Sequence, residues 1–222
     1  MGIKAFEYEA QLIILPCILF ALTLHEYAHA RSAYLLGDNT AYYQNRMNLN
    51  PLNHLDLFGT LALYFIGIGW AKPVPVNMSN LSNPRRDMML VAIAGPASNI
   101  FLALIGSIIF RLLPIIPWTV SELLMNGIAY FVFINLVLAL FNMIPIAPLD
   151  GSRILPLFIR NPRTLYQIEY YGPRVLIGLI LLSYLTTINV FGTIIFTPAI
   201  YISYFLCGEN LIQYLFPLFQ PA

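Results

Sequence analysis

His25, Glu26 and His29 form a His-Glu-x-x-His pattern inside a stretch that is apolar enough to cross a membrane. Two histidines four residues apart on a helix project from the same face about one turn apart, so both imidazoles can reach one zinc ion. Glu26 then lies beside the metal, where it can take a proton from a bound water. Because these three side chains are costly to place in a bilayer unless a metal or partner compensates, the pattern predicts a metal site.

A catalytic zinc normally takes three protein ligands and leaves one position for water, so the pattern requires one more ligand. Asp150 is the favoured candidate, because it is an acidic residue in an apolar setting where two prolines and a glycine interrupt regular structure. Asp150 could instead cap the helix that starts near Ser152. His54 and Asp56, in a polar loop, are the other candidate ligands.

Three asparagines lie in apolar spans. Asn99 follows the small residues 95–98, which let helices approach closely, and its amide needs a hydrogen-bond partner in hydrocarbon. Asn135 and Asn142 are seven residues apart and share a helix face. Asn142 is nearest to Asp150 along the chain and could donate to a substrate carbonyl or a developing oxyanion. A purely structural hydrogen bond accounts equally well for Asn99 and Asn142.

The composition indicates a polytopic membrane protein of the all-α class. The 222 residues are 59% hydrophobic and 9% charged, with a mean hydropathy of +0.75, whereas soluble domains are about 25% charged. A net charge of +1 and the lack of a basic stripe argue against a nucleic-acid partner. Cys17 and Cys207 lie in apolar sequence, where buried thiols are expected rather than a disulfide.

Crossing a bilayer as a helix takes about 20 apolar residues. We expect about five full transmembrane helices, at roughly 10–36, 87–112, 120–142, 173–188 and 189–208. A further apolar piece at 57–69 has thirteen residues, three of them glycine. As a helix it would reach only ~20 Å, which is short of the hydrocarbon core. It is therefore expected to be a short helix or a re-entrant hairpin shielded by its neighbours.

The distribution of lysine and arginine gives two possible topologies. If 57–69 is re-entrant, nine basic residues share one side against Lys4 and Arg111 on the other, which places the N-terminus outside. If 57–69 crosses fully, the best split is eight against three with the N-terminus inside. Only the re-entrant case brings Asp150 and the His-Glu-x-x-His pattern toward the same, cytoplasmic side, so a shared metal requires it.

Three motifs in order resemble the site-2 protease family of zinc intramembrane metalloproteases. They are the His25 pattern in the first span, Gly95-Pro96-Ala97-Ser98-Asn99 in the next full span, and Asn142-x-x-Pro-x-x-Pro-Leu-Asp150-Gly after the third. Agreement extends to residues 50–56 and 69–77, which look like the short bacterial and archaeal branch of the family. The resemblance runs from about residue 20 to 155 in consistent order and spacing.

This resemblance implies a metal site and a set of roles. His25, His29 and Asp150 would bind one zinc per chain, and Glu26 would act as general base and acid. Asn99 and Asn142 match family positions near the reacting atoms. The resemblance also implies a membrane-associated β-hairpin at about 57–82, an edge of which pairs with an unwound substrate segment.

The predicted function is zinc-dependent hydrolysis of a peptide bond in or near the transmembrane helix of a single-span membrane protein. We expect one membrane-embedded protease domain over 1–222 in the cell membrane, with a core at about 10–155, a helical hairpin at about 173–208, and no PDZ or CBS domain. The alternatives are a metal transporter and a catalytically silent scaffold. A transporter would spread its ligands along a pathway and would not need Glu26, and a scaffold would need neither Glu26 nor Asp150.

Overall fold

The chain is all-α in a computed structural model that describes residues 3, 8–67, 69–115 and 120–219. Its α-helices are α1 (Tyr8–Leu35), α2 (Thr40–Tyr43), α3 (Pro51–His54), α4 (Leu57–Ile66), α5 (Pro84–Leu112), α6 (Glu122–Asn142), α7 (Pro162–Leu185), α8 (Thr197–Cys207) and α9 (Leu211–Phe219). Asp150–Leu157 forms a 3₁₀ helix, and Gly192–Phe196 forms a π-helical turn that leads into α8.

Helices α1, α5 and α6 pack against one another and form the centre of the molecule. Small residues fill the contact surfaces: Ala21, Ala103 and Ala129 are fully buried. A Cβ atom added at Gly106 of α5 would lie 2.8 Å from a methyl group of Val132 in α6. Small side chains at these positions let the helix backbones approach closely, which is how membrane helices gain packing energy.

Among the residues that the structure describes, four helices are long and apolar enough to cross a membrane, at Ala10–Leu35, Pro84–Ile115, Glu122–Asn142 and Pro162–Leu185. This confirms the all-α polytopic class. The fifth expected span, at 189–208, corresponds to a shorter apolar helix from Gly192 to Cys207. At ~1.5 Å per residue that helix is about 24 Å long, less than the ~30 Å hydrocarbon core, so its full crossing stays a prediction.

The fourth span begins eleven residues earlier than the expected start at residue 173. The Asn161 side chain accepts a hydrogen bond from the backbone N–H of Arg163, and Pro162 occupies the first turn. An asparagine cap followed by proline is a favourable helix start. Pro173 lies inside α7.

The region 57–69 contains a short helix, which is one of the two expected forms. The Asp56 carboxylate caps α4 by accepting from the N–H of Gly59 at 2.8 Å, and α4 ends at Gly67 with φ +89°. Residues 69–77, which we call the extended segment, then run without helix to Asn77. The β-hairpin expected at 57–82 is not confirmed, because strand pairing within the described residues is limited to one antiparallel bridge between Leu55 and Ala71.

Candidate metal and active site

Three predicted ligand atoms converge on one point. His25 Nε2 lies 3.0 Å from His29 Nε2 and 3.1 Å from Asp150 Oδ2. His29 Nε2 lies 3.2 Å from the same Asp150 oxygen. Two of the residues come from one face of α1, and the third comes from the turn after α6. The structure therefore brings together His25, His29 and Asp150, as the sequence motifs predict.

The geometry of these three atoms fits a zinc ion. Ligands bound at about 2.0–2.2 Å to a tetrahedral zinc lie about 3.3 Å from one another, which is close to the observed separations. Gly95 of α5 faces the same point: a Cβ atom there would lie 2.4 Å from His29 Nε2 and 2.6 Å from His25 Nε2. Position 95 must therefore be glycine if both imidazoles are to keep these positions.

Hydrogen bonds at Nδ1 direct both histidines toward this point. His25 Nδ1 donates to Asn99 Oδ1 at 2.6 Å, and His29 Nδ1 donates to the Val91 carbonyl at 2.7 Å. Because a ring nitrogen that carries the proton leaves the other nitrogen with a lone pair, both Nε2 atoms are available to a metal. Asn99 thus contacts the predicted site through His25.

Asp150 is held as a carboxylate that faces the two imidazoles. Burial alone would raise the pKa of Asp150, but protons on the two Nε2 atoms, when present, are donated to this carboxylate and lower its pKa to about 2. A bound metal would take the place of these protons. The next residue, Gly151, leaves no room for a side chain, since a Cβ atom there would lie 2.3 Å from the Met143 carbonyl oxygen. An anionic oxygen beside two imidazole lone pairs is a donor set that zinc favours.

The other two candidate ligands are engaged elsewhere. His54 is buried, and its Nε2 donates to the Asn48 carbonyl at 2.8 Å. Asp56 caps α4. Within the described residues, the one group of three or more histidine, cysteine or acidic side chains able to share a metal is His25, His29 and Asp150.

Glu26 lies beside the extended segment. Its side chain is 8% exposed, and its Oε2 atom accepts a hydrogen bond from the Val74 backbone N–H at 3.0 Å. This contact could not be predicted from the sequence, because a backbone N–H has no residue-specific signature. The extended segment therefore passes directly over the predicted general base.

Further hydrogen bonds fix the extended segment at both ends. At one end, the Lys72 N–H donates to the His54 carbonyl at 2.8 Å, and Arg46 donates to the Lys72 carbonyl at 2.7 Å. At the other end, the Asn77 N–H donates to Asp38 Oδ2 at 2.7 Å. The segment is thus attached to the loops that follow α1 as well as to Glu26.

Asp38 is a structural residue that the sequence reasoning missed. It follows Gly37, whose φ of +105° ends α1, and its side chain is fully buried. Its carboxylate accepts from Thr40, Asn77 and Asn80. Burial would raise the pKa of Asp38, but these hydrogen bonds outweigh it and hold the pKa below its ordinary value. A buried acid right after a helix-ending glycine is the signal that could have identified it.

The two remaining asparagines differ in what they contact. The Asn142 amide donates to the Leu138 carbonyl of its own helix at 3.0 Å, so its predicted role toward a substrate oxygen stays a prediction. Asn135 accepts from the Asn99 amide at 2.9 Å. It therefore connects to the site through Asn99, a link that the shared helix face of Asn135 and Asn142 did not indicate.

Comparisons with known proteins agree with these motifs. The profile of peptidase family M50 matches residues 118–183. A protein named "Putative zinc metalloprotease YwhC" from Bacillus subtilis (strain 168) is 42% identical over 163 residues, covering 70% of this chain and 74% of the relative. "Putative zinc metalloprotease Rip2" from Mycobacterium tuberculosis (strain ATCC 25618 / H37Rv) is 31% identical over 179 residues, covering 77% of this chain and 66% of the relative. No solved structure matches the chain.

The similarity confirms the family that the sequence resembles. The profile match includes Asn142 and Asp150, and the similarity to YwhC extends over about three quarters of that protein. The three side chains that could share a metal ion are consistent with the zinc in the relatives' names. The chain belongs to peptidase family M50, the site-2 protease family, and is a multi-pass membrane metalloprotease.

Proposed function

We propose that the chain is a zinc-dependent endopeptidase that hydrolyses a peptide bond in or near the transmembrane helix of a single-span membrane protein. The observation that carries this proposal is the position of His25 and His29 within a membrane-spanning helix. They lie six and ten residues before the end of α1 at Leu35, which is about 9–15 Å along the helix. A site at that depth faces a substrate's buried helix rather than its soluble parts.

In the proposed reaction, His25, His29 and Asp150 hold one zinc per chain. A zinc ion held there would supply a Lewis acid for the scissile carbonyl and the attacking water. Glu26 would accept a proton from that water as the water oxygen bonds to the carbonyl carbon, and would pass the proton to the amine nitrogen as the C–N bond breaks. Because the Glu26 carboxylate is held by the Val74 N–H, its position is set before the substrate arrives.

The extended segment is the proposed docking strand for the substrate. A peptide bond inside a helix is shielded, so the substrate must unwind locally before attack, and strand addition would hold it extended. Residues 72–77 lie beside Glu26 and are fixed at both ends. A strand laid along them would bring a peptide bond near the three ligands.

The proposed orientation places the site toward the cytoplasm and the N-terminus outside. The charge count of the re-entrant topology supports this, since nine of eleven lysine and arginine residues then share the cytoplasmic side. Single cysteines introduced at Asn80 and Ser121, on opposite sides in this topology and outside the span Glu122–Asn142, test it with a membrane-impermeant thiol reagent on intact cells. Labelling at residue 121 alone is expected, and labelling at residue 80 alone would reverse the orientation.

Zinc content and cleavage, measured on the same variants, test the function. In purified full-length protein we expect about one zinc per chain, which Asp150→Ala should remove. Glu26→Gln should retain the metal while abolishing cleavage in a panel of single-span reporter proteins. Full zinc retention in Asp150→Ala would instead point to His54 or Asp56 as the third ligand. Zinc flux into proteoliposomes that survives Glu26→Gln would favour the transporter alternative.

A further inference from the structure

The two histidines of the site are oriented by different kinds of acceptor. His29 Nδ1 faces the Val91 carbonyl, which can only accept a hydrogen bond. His25 Nδ1 faces the side-chain amide of Asn99. An amide presents an accepting oxygen on one side and a donating NH₂ on the other, so it can direct an imidazole in either sense. The tautomer of His25 therefore depends on which way the Asn99 amide is turned.

Two acceptors surround the NH₂ group of Asn99. Its Nδ2 atom donates to Asn135 Oδ1 at 2.9 Å and to the Ala21 carbonyl at 3.3 Å. Asn99 and Asn135 are both completely buried, so bulk water does not reach either contact. The shorter of the two contacts is the one made with Asn135.

Asn135 is itself turned in one direction by its own helix. Its Nδ2 atom donates to the Phe131 carbonyl at 2.8 Å. Since that carbonyl can only accept, the NH₂ group of Asn135 must face it, and the oxygen of Asn135 must face Asn99. A backbone carbonyl of α6 thus sets the direction of a chain of hydrogen bonds that crosses α5 and ends at His25 in α1.

We propose that Asn135 is a positioning residue for the metal. It fixes the Asn99 amide with its oxygen toward His25 Nδ1, which keeps the proton on Nδ1 and the lone pair on Nε2. If the Asn99 amide were reversed, its NH₂ would donate to Nδ1 and the proton would move to Nε2, which could then no longer bind a metal. This inference rests on the proposed zinc site.

Metal affinity, not activity alone, tests the inference. The apparent zinc affinity of the purified full-length protein is measured by competition with a chromogenic chelator, and the ligand geometry is followed by the visible absorption of bound Co²⁺. Asn135→Leu has a similar size but no acceptor, and we expect it to weaken zinc binding about tenfold, the lower end of the range for outer partners of metal ligands. Asn135→Asp, protonated at this buried position, can donate its hydroxyl to the Phe131 carbonyl and keep an acceptor facing Asn99. It should therefore stay within about threefold of wild type.

The same substitution in an Asn99→Asp background separates orientation from packing. Both oxygens of an ionised aspartate accept, so either orientation of residue 99 presents an acceptor to His25 Nδ1. The second oxygen would be repelled by Asn135 Oδ1, so Asn135→Leu should cause no loss of affinity in this background. An equal loss in both backgrounds would show that Asn135 acts only through packing and would overturn the inference. Unchanged affinity in Asn135→Leu alone would also overturn it. Wild-type protein that binds no zinc would instead refute the metal site on which the inference rests.

Discussion

Helices α6 and α7 are similar in length, and both are apolar enough to cross a membrane, but they differ in what surrounds them. In the most apolar part of α6, 44% of the residues are buried inside the protein, whereas the figure for α7 is 6%. The one buried residue of α7 is Gly172, which lies against Ala147 in the loop before Asp150. Hydropathy therefore identifies both helices as spans but does not show which one builds the site.

Buried polar side chains do distinguish the two regions. The packed centre encloses His25, Asn99 and Asn135, whereas the described residues of α7 include no buried polar side chain. A polar group in hydrocarbon is costly unless it is paired, so amides within a span indicate helices that face protein. The comparison predicts that equivalent substitutions will have large effects in the centre and small ones in α7.

Two glycine substitutions give the largest expected contrast. Gly95→Ala would place a methyl group against both Nε2 atoms, and we expect it to reduce bound zinc to near zero. Gly178→Ala, in α7, is the matched control, because a Cβ atom there meets nothing within 4 Å. Its expected effect is unchanged zinc and a stability change within about 1 kcal/mol. For each variant, zinc per chain and thermal unfolding are measured in detergent. A normal zinc content in Gly95→Ala would contradict the site geometry.

Asp38→Asn tests the anchor of the extended segment through pH. Because the folded-state pKa of Asp38 is depressed, its stabilising effect is fully present above the unfolded pKa of about 3.9. That effect disappears as pH falls through the folded pKa. We expect Asp38→Asn to lower the free energy of unfolding by about 2 kcal/mol at neutral pH. The difference in unfolding free energy between variant and wild type should shrink below about pH 4. A gap of constant size from pH 7 to 3 would disprove this origin, and Glu169→Gln serves as an exposed-carboxylate control.

Gly172→Ala tests the contact between α7 and the centre. An added Cβ atom would lie 2.7 Å from both the side chain and the carbonyl oxygen of Ala147. We expect overpacking to cost about 1–3 kcal/mol and to lower cleavage of a reporter while most of the zinc remains bound. If Gly172→Ala has the stability and cleavage of wild type, α7 moves away from Ala147 at no cost. The difference in packing between α6 and α7 would then be larger than expected.

The smallest effect is expected at the ion pair between Arg153 and Glu169. The two side chains are 3.0 Å apart but 40% and 65% exposed, respectively. Exposed pairs contribute about 0–1 kcal/mol, and salt screens them. A double-mutant cycle with Arg153→Ala and Glu169→Ala should give a coupling energy in that range, smaller at high salt. A coupling well above 1 kcal/mol would mean that α7 is held more firmly than its burial indicates.

The sequence predicted which three side chains come together better than it predicted the structure around them. Spacing alone put His25 and His29 on one face, and an acid in apolar sequence indicated Asp150. The Val74 contact and the role of Gly95 were missed, because a backbone N–H and an absent side chain leave no chemical signature. The start of α7 was missed because the residues before 173 carry Arg163 and Glu169 among the apolar residues, which lowers the hydropathy on which span prediction depends.

The extended segment has a one-sided hydrogen-bonding capacity. The N–H groups of Lys72 and Val74 point into the protein, toward His54 and Glu26, and the residues that alternate with them are Pro73 and Pro75, which have no N–H. Its outer edge can therefore accept hydrogen bonds at these positions but cannot donate them. A substrate strand laid there would be held by its own N–H groups alone, and its carbonyl oxygens would remain free for the chemistry.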